Sequence, residues 1–339
     1  MRRAGNLIER IADADNIRLA FWKASQGKQI KQAVVRFREN LDDEVRSLRN
    51  QLLVGSFTWG PYHKFLIRDP KERVICAAPL RDQVAHHALL NVTEPVFEAY
   101  QVHASYACRK GKGVDGALKR AMALARRGGW FLKMDVRKYF DSIHHDTLKN
   151  QMRRRFKDRR VLALFDGVID SYETTTGRGV PIGNLTSQFF ANHYLAVLDH
   201  YIQEACLCRG LVRYMDDMIV WDRSKRRILD VHRRVEEFMR TRLYLELKPM
   251  CLGRCNRGMT FLGYRVFPHR LGLAKRSRVR YREKLRRYNE NYTTGRWTER
   301  EVARHVESLL AFVRRSGCLE YRRRTMGELG LCPEQARTA

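Results

Sequence analysis

Long apolar runs are absent from this sequence, and proline and glycine are sparse, with 8 and 22 occurrences in 339 residues. No segment approaches the roughly 20 consecutive apolar residues that a membrane-spanning helix needs, which excludes an integral membrane protein. The N-terminal segment 1–6 is not followed by the apolar stretch of a secretion signal. We therefore expect a cytoplasmic protein with no membrane partner. No internal repeat or low-complexity linker is evident.

The eight cysteines are scattered along the chain rather than grouped. Only Cys206-x-Cys208 and Cys251-x3-Cys255 are close in sequence, and neither is accompanied by a second cysteine or histidine pair at the spacing of a structural zinc site. We interpret the cysteines as reduced thiols of a cytosolic protein rather than as metal ligands.

Acidic residues are few: 37 Asp and Glu stand against 66 Lys and Arg, which gives a formal net charge of +29. With 44% hydrophobic residues the chain has enough apolar material to build folded cores, so it is not a disordered basic tail. Such a surplus of positive charge predicts a polyanionic partner, because Lys and Arg release condensed counterions when they bind phosphates. The charge alone does not separate proteins that copy, cut or coat nucleic acid.

Apolar periodicity predicts an α+β protein in which pairs of strands alternate with helices, followed by a helical C-terminal part. The segments 63–68 and 73–77 are typical of a β-hairpin with a polar turn at 69–72. Further strands are predicted at 130–134, 211–215, 218–221, 245–248 and 260–266. Helices are predicted over 1–55, 82–93, 187–204, 230–243 and beyond 275, and Asp146 is predicted to cap another.

Three carboxylates stand where predicted strands end. Asp135 closes one strand, and Asp216-Asp217 forms the predicted turn between two others. Carboxylates on adjacent strands can hold a pair of Mg²⁺ ions about 4 Å apart, and these would stabilise the attacking and leaving oxygens of a phosphoryl transfer. Without further context, an ordinary acidic turn explains Asp216-Asp217 equally well.

The context of these carboxylates resembles that of reverse transcriptases. Tyr214-Met215-Asp216-Asp217, between two apolar strands, is similar to the catalytic hairpin of that family, and the resemblance extends from about Arg73 to Val266. It implies a right-hand polymerase architecture with fingers, a palm built on an antiparallel sheet, and a helical thumb. The implied domains are an N-terminal extension with fingers at 1–128, a palm at 129–270 with a fingers segment near 148–182, and a thumb at 271–339.

The resemblance also implies roles in the chemistry. Asp135-Val136-x-x-Tyr139-Phe140 looks like the first catalytic motif. By this resemblance Asp135, Asp216 and Asp217 bind two Mg²⁺ ions, or Mn²⁺, and the Val136 carbonyl contacts one of them. The Phe140 ring lies beneath the incoming sugar and leaves no room for a 2′-hydroxyl, although plain core packing also explains an apolar residue there.

Other residues are implied to bind substrates. Arg73, with Lys64 as second choice, would contact the incoming triphosphate, and Lys248 would protonate or neutralise the leaving pyrophosphate. The segment Phe261-Leu262-Gly263-Tyr264 resembles the primer grip, in which glycine permits close backbone approach. General contacts with nucleic acid, a solvated lysine and an ordinary apolar strand are the respective alternatives.

Ile182-Gly183-Asn184-Leu185-Thr186-Ser187-Gln188 is similar to the corresponding motif of diversity-generating retroelement enzymes, whereas many reverse transcriptases begin this motif with Gln. Ile182, Gly183 and Gln188 are implied to lie at the nucleotide. This subgroup is bacterial or phage-encoded. The resemblance implies error-prone copying of a template-repeat RNA into cDNA. Its implied partners are template RNA, the RNA–cDNA duplex, dNTPs and a small basic accessory protein.

Two alternatives stay open at this point. The chain could be a group II intron, retron or defence-type reverse transcriptase, although no zinc-type endonuclease tail is evident and Val-Thr-Gly is missing at Phe261-Leu262-Gly263. It could also be a non-catalytic, polymerase-shaped RNA-binding protein, a class that the presence of all three carboxylates disfavours.

Overall fold

The centre of the fold, in a computed structural model that describes residues 3–68 and 72–329, is a four-stranded antiparallel sheet. Within the described residues the chain forms three sheets, with strand orders β1-β2, β4-β5-β3-β6 and β7-β8-β9. The strands are β1 (His63–Ile67), β2 (Arg73–Ala77), β3 (Trp130–Asp135), β4 (Gly210–Tyr214), β5 (Asp217–Asp222), β6 (Cys251–Arg254), β7 (Met259–Phe261), β8 (Tyr264–Val266) and β9 (Leu271–Leu273).

Helices surround the sheets and form both ends of the described chain. They are α1 (Ile8–Ile11), α2 (Ala14–Ser25), α3 (Gln32–Glu39), α4 (Leu41–Val54), α5 (Leu80–Tyr100), α6 (Gly113–Ala125), α7 (Tyr139–Ser142), α8 (His145–Arg153), α9 (Arg159–Asp170), α10 (Leu185–His200), α11 (Lys225–Arg242), α12 (Lys275–Thr293), α13 (Glu299–Arg314) and α14 (Leu319–Glu328). A π-helical turn, Tyr201–Ala205, follows α10. None of the helices described is long and apolar enough to cross a membrane.

The central sheet separates two hydrophobic cores because successive side chains of a strand point to opposite faces. On β3, Leu132 and Met134 belong to the core shared with the N-terminal helices, α10 and α11. Phe131 belongs to the second core, which α6, the sheet β7-β8-β9 and the C-terminal helices complete. Burial on both faces explains why these strands have nearly continuous apolar sequences instead of alternating ones.

The predicted α+β fold with a right-hand polymerase architecture is confirmed, with shifts at several boundaries. The segment 245–248 is not a strand; it contributes one isolated bridge, in which Leu247 pairs with Val136. The helix predicted over 82–93 continues through Pro95 to Tyr100, since Phe97 packs against a cluster of buried phenylalanines. Residues 69–71 of the predicted hairpin turn lie outside the described residues. The domain boundaries stay predictions, and β9, just after position 270, pairs with β8.

Other helix ends also differ from the sequence predictions. The N-cap of α8 is His144 rather than Asp146, and the His144 imidazole accepts a hydrogen bond from the Thr147 amide. Helix α11 begins at Lys225, five residues before the predicted start, because the Ser224 side chain caps it by accepting from the Arg227 amide. Capping by neighbouring polar side chains therefore sets these two ends.

Buried histidines make the fold sensitive to acid. His193 on α10 is fully buried between the rings of Phe97 and Tyr100, and burial lowers its pKa to about 3. Below the unfolded-state pKa of about 6.5, the unfolded chain binds a proton that the folded chain excludes, so folding stability is lost as the pH falls. Between about pH 7 and about pH 5, the free energy of unfolding of wild type is expected to fall by about 2 kcal/mol more than that of His193→Phe. Urea unfolding at both pH values measures this difference.

The control is His269→Gln, which replaces an exposed histidine. Its free energy of unfolding should depend on pH as that of wild type does. Equal pH dependence of wild type and His193→Phe would contradict a neutral, buried His193.

Candidate active site

Strand register brings two of the three carboxylates face to face. Asp135 at the end of β3 pairs directly with Asp217 at the start of β5. Tyr214 also pairs with Asp217, so the turn of the β4-β5 hairpin consists of Met215 and Asp216. The prediction of an Asp216-Asp217 turn is therefore wrong by one residue. Met215 has a φ of +57°, the left-handed value that a type II′ turn requires at its first central position.

Each of the two paired carboxylates is held by a lysine. Lys248 Nζ lies 2.7 Å from Asp135 Oδ1, and Lys133 Nζ lies 3.0 Å from Asp217 Oδ2. Burial raises the pKa of Asp217 to about 6. The charges of Asp135 and Asp216 also raise this pKa, whereas Lys133 lowers it. Burial also raises the pKa of Asp216, with the Asp135 charge acting in the same direction. The site therefore concentrates negative charge in a poorly solvated place, which favours cations.

The residues present fit a divalent metal of the magnesium type. No group of three or more His, Cys, Asp and Glu side chains in the described part of the chain is close enough to enclose an ion. Mg²⁺ does not need such a cage, because it is usually bound by one or two carboxylates, substrate phosphates and water. Among the described residues, Asp217 Oδ1 is buried and has no hydrogen-bond partner. A bound cation would give this buried oxygen a partner, with the oxygen as its ligand.

Lys248 is positioned by the backbone as well as by its ion pair. The Lys248 amide donates to the Asp135 carbonyl at 2.8 Å, and the Arg137 amide donates to the Glu246 carbonyl at 2.8 Å. These bonds flank the Val136–Leu247 bridge and do not use the Val136 carbonyl. The structure thus brings the predicted residues Val136 and Lys248 to the end of β3, beside Asp135.

Phe140 lies in α7, five residues after Asp135. Its side chain is half-buried and packs edge-on against Tyr139, with ring centroids 5.7 Å apart. The Phe140 carbonyl accepts a hydrogen bond from the Val180 amide at 2.9 Å. This bond ties α7 to the loop that precedes Ile182.

The Ile182-Gly183 segment packs against the β1-β2 hairpin. The Ile182 carbonyl accepts a hydrogen bond from the Cys76 amide at 2.8 Å. Gly183 has a φ of +122°, and a Cβ there would lie 2.9 Å from the Cys76 carbonyl oxygen, so only glycine fits. Gln188 is exposed on the first turn of α10, where its Oε1 lies 3.3 Å from Cys108 Sγ.

The two candidate triphosphate ligands point to opposite faces of the hairpin. Arg73 pairs with Ile67 and Lys64 pairs with Cys76, which places them on different sides of the two-stranded sheet. Only for Arg73 is an electrostatic effect on the carboxylates evident: its charge lowers the pKa of Asp216 against the effect of burial. Lys64 Nζ instead lies 5.5 Å from the centre of the Tyr172 ring.

The segment 260–266, predicted as a strand, is a hairpin of β7 and β8, and the residues of the predicted primer grip form its turn and the two flanking positions. Leu262 and Gly263 form the turn between β7 and β8, with φ values of +49° and +87°, as in a type I′ turn. Phe261 and Tyr264 are fully buried. The close approach at Gly263 is made by the chain itself, since a Cβ there would lie 3.0 Å from the Phe312 ring.

Lys133 is a residue of this site that the sequence analysis missed. Its ammonium group contacts the Asp217 carboxylate and also donates to the Thr260 carbonyl in β7 at 3.1 Å. It therefore connects the carboxylates to the β7-β8 hairpin. The available signal was a single charged residue inside the otherwise apolar strand 130–134.

Arg213 in β4 is the second residue that the sequence did not indicate, and it contacts the turn of the β4-β5 hairpin. It is completely buried and paired with Asp199 of α10, with Nη2 to Oδ2 at 2.6 Å. Its Nη1 donates to the Asn192 Oδ1 and to the Met215 carbonyl, both at 3.1 Å. The strained residue Met215 is thus fixed by a buried charge network.

Comparison with known proteins connects this geometry to a family. The sequence model described as "Reverse transcriptase (RNA-dependent DNA polymerase)" matches residues 68–266, more than half of the chain. Protein YkfC of Escherichia coli strain K12 is 29% identical over 54% of this chain and 51% of its own length. Group II intron-encoded protein LtrA of Lactococcus lactis subsp. cremoris is 23% identical over 48% of this chain and 28% of its own length. The chain thus spans about half, or less, of these relatives.

Solved structures of telomerases show a more distant similarity. Apo telomerase from Candida tropicalis gives a TM-score of 0.49 at 13% identity, covering 65% of this chain and 49% of that one. Telomerase from Candida albicans in complex with a fragment of telomeric RNA gives a TM-score of 0.46 at 13% identity, covering 70% of this chain and 52% of that one.

Proposed function

The chain belongs to the reverse transcriptase family, and from this premise we propose that it is an RNA-directed DNA polymerase whose active site is built on Asp135, Asp216 and Asp217. The observation that carries the proposal is the register of β3 and β5, which sets Asp135 opposite Asp217 with Asp216 in the adjoining turn. A non-catalytic RNA-binding protein would have no need for three carboxylates at one point of a +29 chain.

The mechanism is transfer of a nucleotide from a dNTP to the 3′-hydroxyl of a primer. Asp135, Asp216, Asp217 and the Val136 carbonyl would hold two Mg²⁺ or Mn²⁺ ions, whose charge would favour activation of the hydroxyl and offset the charge of the phosphates. Lys248 is already beside Asp135, and from there it can protonate or neutralise the leaving pyrophosphate. The charge of Arg73 lowers the pKa of Asp216, so Arg73 is the better candidate to bind the triphosphate.

We assign substrate selection to the residues for which the family resemblance implies it. Phe140, held to Val180 by its carbonyl, would pack against the sugar and exclude a 2′-hydroxyl. Ile182, Gly183 and Gln188 would contact the nascent base pair. In the hairpin Phe261-Leu262-Gly263-Tyr264, the partly exposed turn residues Leu262 and Gly263 would contact the primer, because Phe261 and Tyr264 are buried beneath them. Lys64 stays a secondary phosphate contact.

The proposed activity is tested by extending a DNA primer on an RNA template with dNTPs and a divalent cation. We expect a DNA product complementary to the template, and little extension with ribonucleotides because of Phe140. The absence of any extension with Mg²⁺ or Mn²⁺ would contradict the proposal.

At a finer level we propose an error-prone enzyme of the diversity-generating type, which copies a template-repeat RNA together with a small basic accessory protein in a bacterial or phage-infected cytoplasm. The support is Ile182 at the first position of its motif, where its carbonyl is hydrogen-bonded to the β1-β2 hairpin. An aliphatic side chain cannot donate the hydrogen bond that an amide could offer to the nucleotide, so selection of the correct base pair depends on shape.

Ile182→Gln is therefore expected to lower the error rate roughly fivefold, the value of about one hydrogen bond. Sequencing of cDNA made by wild type and by the variant on one RNA template measures this effect. Ile182→Val, which restores no amide, is the matched control and should keep the wild-type error rate. Equal error spectra for wild type and Ile182→Gln would contradict the role of Ile182.

A group II intron-type enzyme is the second candidate, favoured by the similarity to the Lactococcus lactis intron-encoded protein. The two candidates differ in their RNA partner. Parallel assays of cDNA synthesis on a template-repeat RNA and on a group II intron RNA distinguish the two candidates. The diversity-generating type should copy the template-repeat RNA, and the intron type should copy the intron RNA.

A further inference from the structure

On the side of the fold where α8, α10 and α11 meet, a cavity of about 590 Å³ lies apart from the three carboxylates. Cavities of this size are typical of small-molecule sites. Its wall includes Asn150, Gln151 and Arg154 from the end of α8. The opposite wall includes Arg242 and Tyr244 from the end of α11 and beyond. Among the described residues that line it, none is acidic.

The charges of this cavity favour an anion. Neither Arg154 nor Arg242 forms an ion pair with any carboxylate of the described residues. Both stand at C-terminal ends of helices, where the helix dipole alone favours a cation. With 66 basic residues against 37 acidic ones, many arginines must lack a carboxylate partner, so the argument for an anion is that two of them line one cavity without an acidic residue.

Tyr244 supplies an aromatic surface in an unusual conformation. Its φ is +53°, a strained value for a residue other than glycine. The residue is 50% exposed, and its ring centroid lies 5.0 Å from that of His144. The strain is maintained by neighbours: Arg178 donates to the Tyr244 carbonyl at 3.0 Å, and Tyr194 donates to the Leu243 carbonyl at 2.6 Å. Strained residues held in this way are concentrated at ligand sites.

The amides next to the ring can recognise a base. Gln151 is 6% exposed, and its Nε2 donates to the Tyr194 carbonyl at 3.3 Å. Its Oε1 is buried and has no hydrogen-bond partner within the described chain. A rotation of the Gln151 amide toward the cavity would let an exocyclic amine of adenine or cytosine satisfy this oxygen, and Asn150 adds a second amide to the same wall.

We propose that this cavity binds one unpaired nucleotide of the RNA, with its base stacked on Tyr244 and its phosphate bound by Arg154 and Arg242. An aromatic ring, adjacent amides and two arginines without acidic neighbours match the way single-stranded RNA is recognised. Two residues after Tyr244 begins the segment 246–248, which is hydrogen-bonded to the end of β3. The bound nucleotide would therefore anchor RNA close to the segment that carries Lys248. The proposal rests on the proposed function only for the identity of the ligand as RNA.

The test is binding of adenosine 5′-monophosphate to the full chain without divalent cations, measured by calorimetry. We expect saturable binding tighter than about 10 mM, as for a single weak nucleotide site. Tyr244→Ala is expected to weaken binding about tenfold, whereas Tyr244→Phe, which keeps the ring, should bind as wild type does. Arg242→Ala should also weaken binding, and the matched control Arg240→Ala, an exposed arginine of the same helix, should not.

Three outcomes would overturn the proposal. They are no saturable binding by wild type, equal binding by Arg242→Ala and Arg240→Ala, or inorganic phosphate that competes as well as the nucleotide. The last result would indicate an anion site without base recognition. Because the assay contains neither metal nor template, it is independent of polymerase activity, and a failure of the proposed function would leave its outcome unchanged.

Discussion

Asp135→Asn is expected to reduce cDNA synthesis at least about 1,000-fold, a loss of about 4 kcal/mol of transition-state stabilisation. The amide keeps the shape of the side chain but removes the charge that faces Asp217 across the β3-β5 register. It also breaks the ion pair with Lys248. Primer extension on an RNA template under single-turnover conditions measures the change.

Folding and RNA affinity should survive this substitution. The Asp135–Lys248 pair is partly exposed, with side chains 35% and 40% accessible, and such pairs contribute little to stability. Asp230→Asn, which removes an exposed carboxylate of α11 that pairs only with Arg233 among the described residues, is the matched control and should retain wild-type synthesis. Similar activities of Asp135→Asn and Asp230→Asn would contradict the assignment of the active site.

Arg213→Met is expected to lower the free energy of unfolding by about 3–5 kcal/mol, because it leaves the buried Asp199 carboxylate without its partner. Arg213 is fully buried, and Asp199 is 1% exposed. A loss of this size is a large fraction of the stability of a typical domain. Urea unfolding measures the change, and Arg209→Met, one residue before β4 and exposed, should differ from wild type by no more than about 0.5 kcal/mol.

The double variant Arg213→Met/Asp199→Leu separates folding from function. Removal of both charges is expected to recover most of the lost stability, since the unpaired carboxylate is gone. The Met215 carbonyl still lacks its donor, so kcat should stay at least about fivefold below wild type while the affinity for RNA is unchanged. Full recovery of kcat in the double variant would show that Arg213 contributes to stability alone.

The placement of the three carboxylates could be predicted from the sequence because it depends on local patterns. Apolar strands that end in Asp135 and flank Asp216-Asp217 specify a sheet with acidic residues at one edge. The one-residue error at the turn arose because Met215 adopts a left-handed conformation, which its residue type does not suggest. The register of the β4-β5 hairpin follows from its two-residue turn, whereas the pairing of Asp217 with Asp135 of β3 is a long-range contact that local patterns do not show.

Lys133 and Arg213 could not be assigned in the same way. Each is a charged residue within an apolar strand, which indicates that a buried partner exists but not which one. Asp199 comes from α10, a helix with other polar residues, and only the packing of that helix on the sheet selects it. Likewise, the opposite orientations of Arg73 and Lys64 depend on the hairpin register rather than on residue type.

The central claim is that Asp135, Asp216 and Asp217 form the site of RNA-directed DNA synthesis. Its most direct test is incorporation of a single dNMP on an RNA template by wild type and by Asp216→Asn, with RNA binding measured in the same samples. We expect cation-dependent incorporation by wild type and none by Asp216→Asn, although both bind the RNA equally. Incorporation at the wild-type rate by Asp216→Asn would contradict the claim.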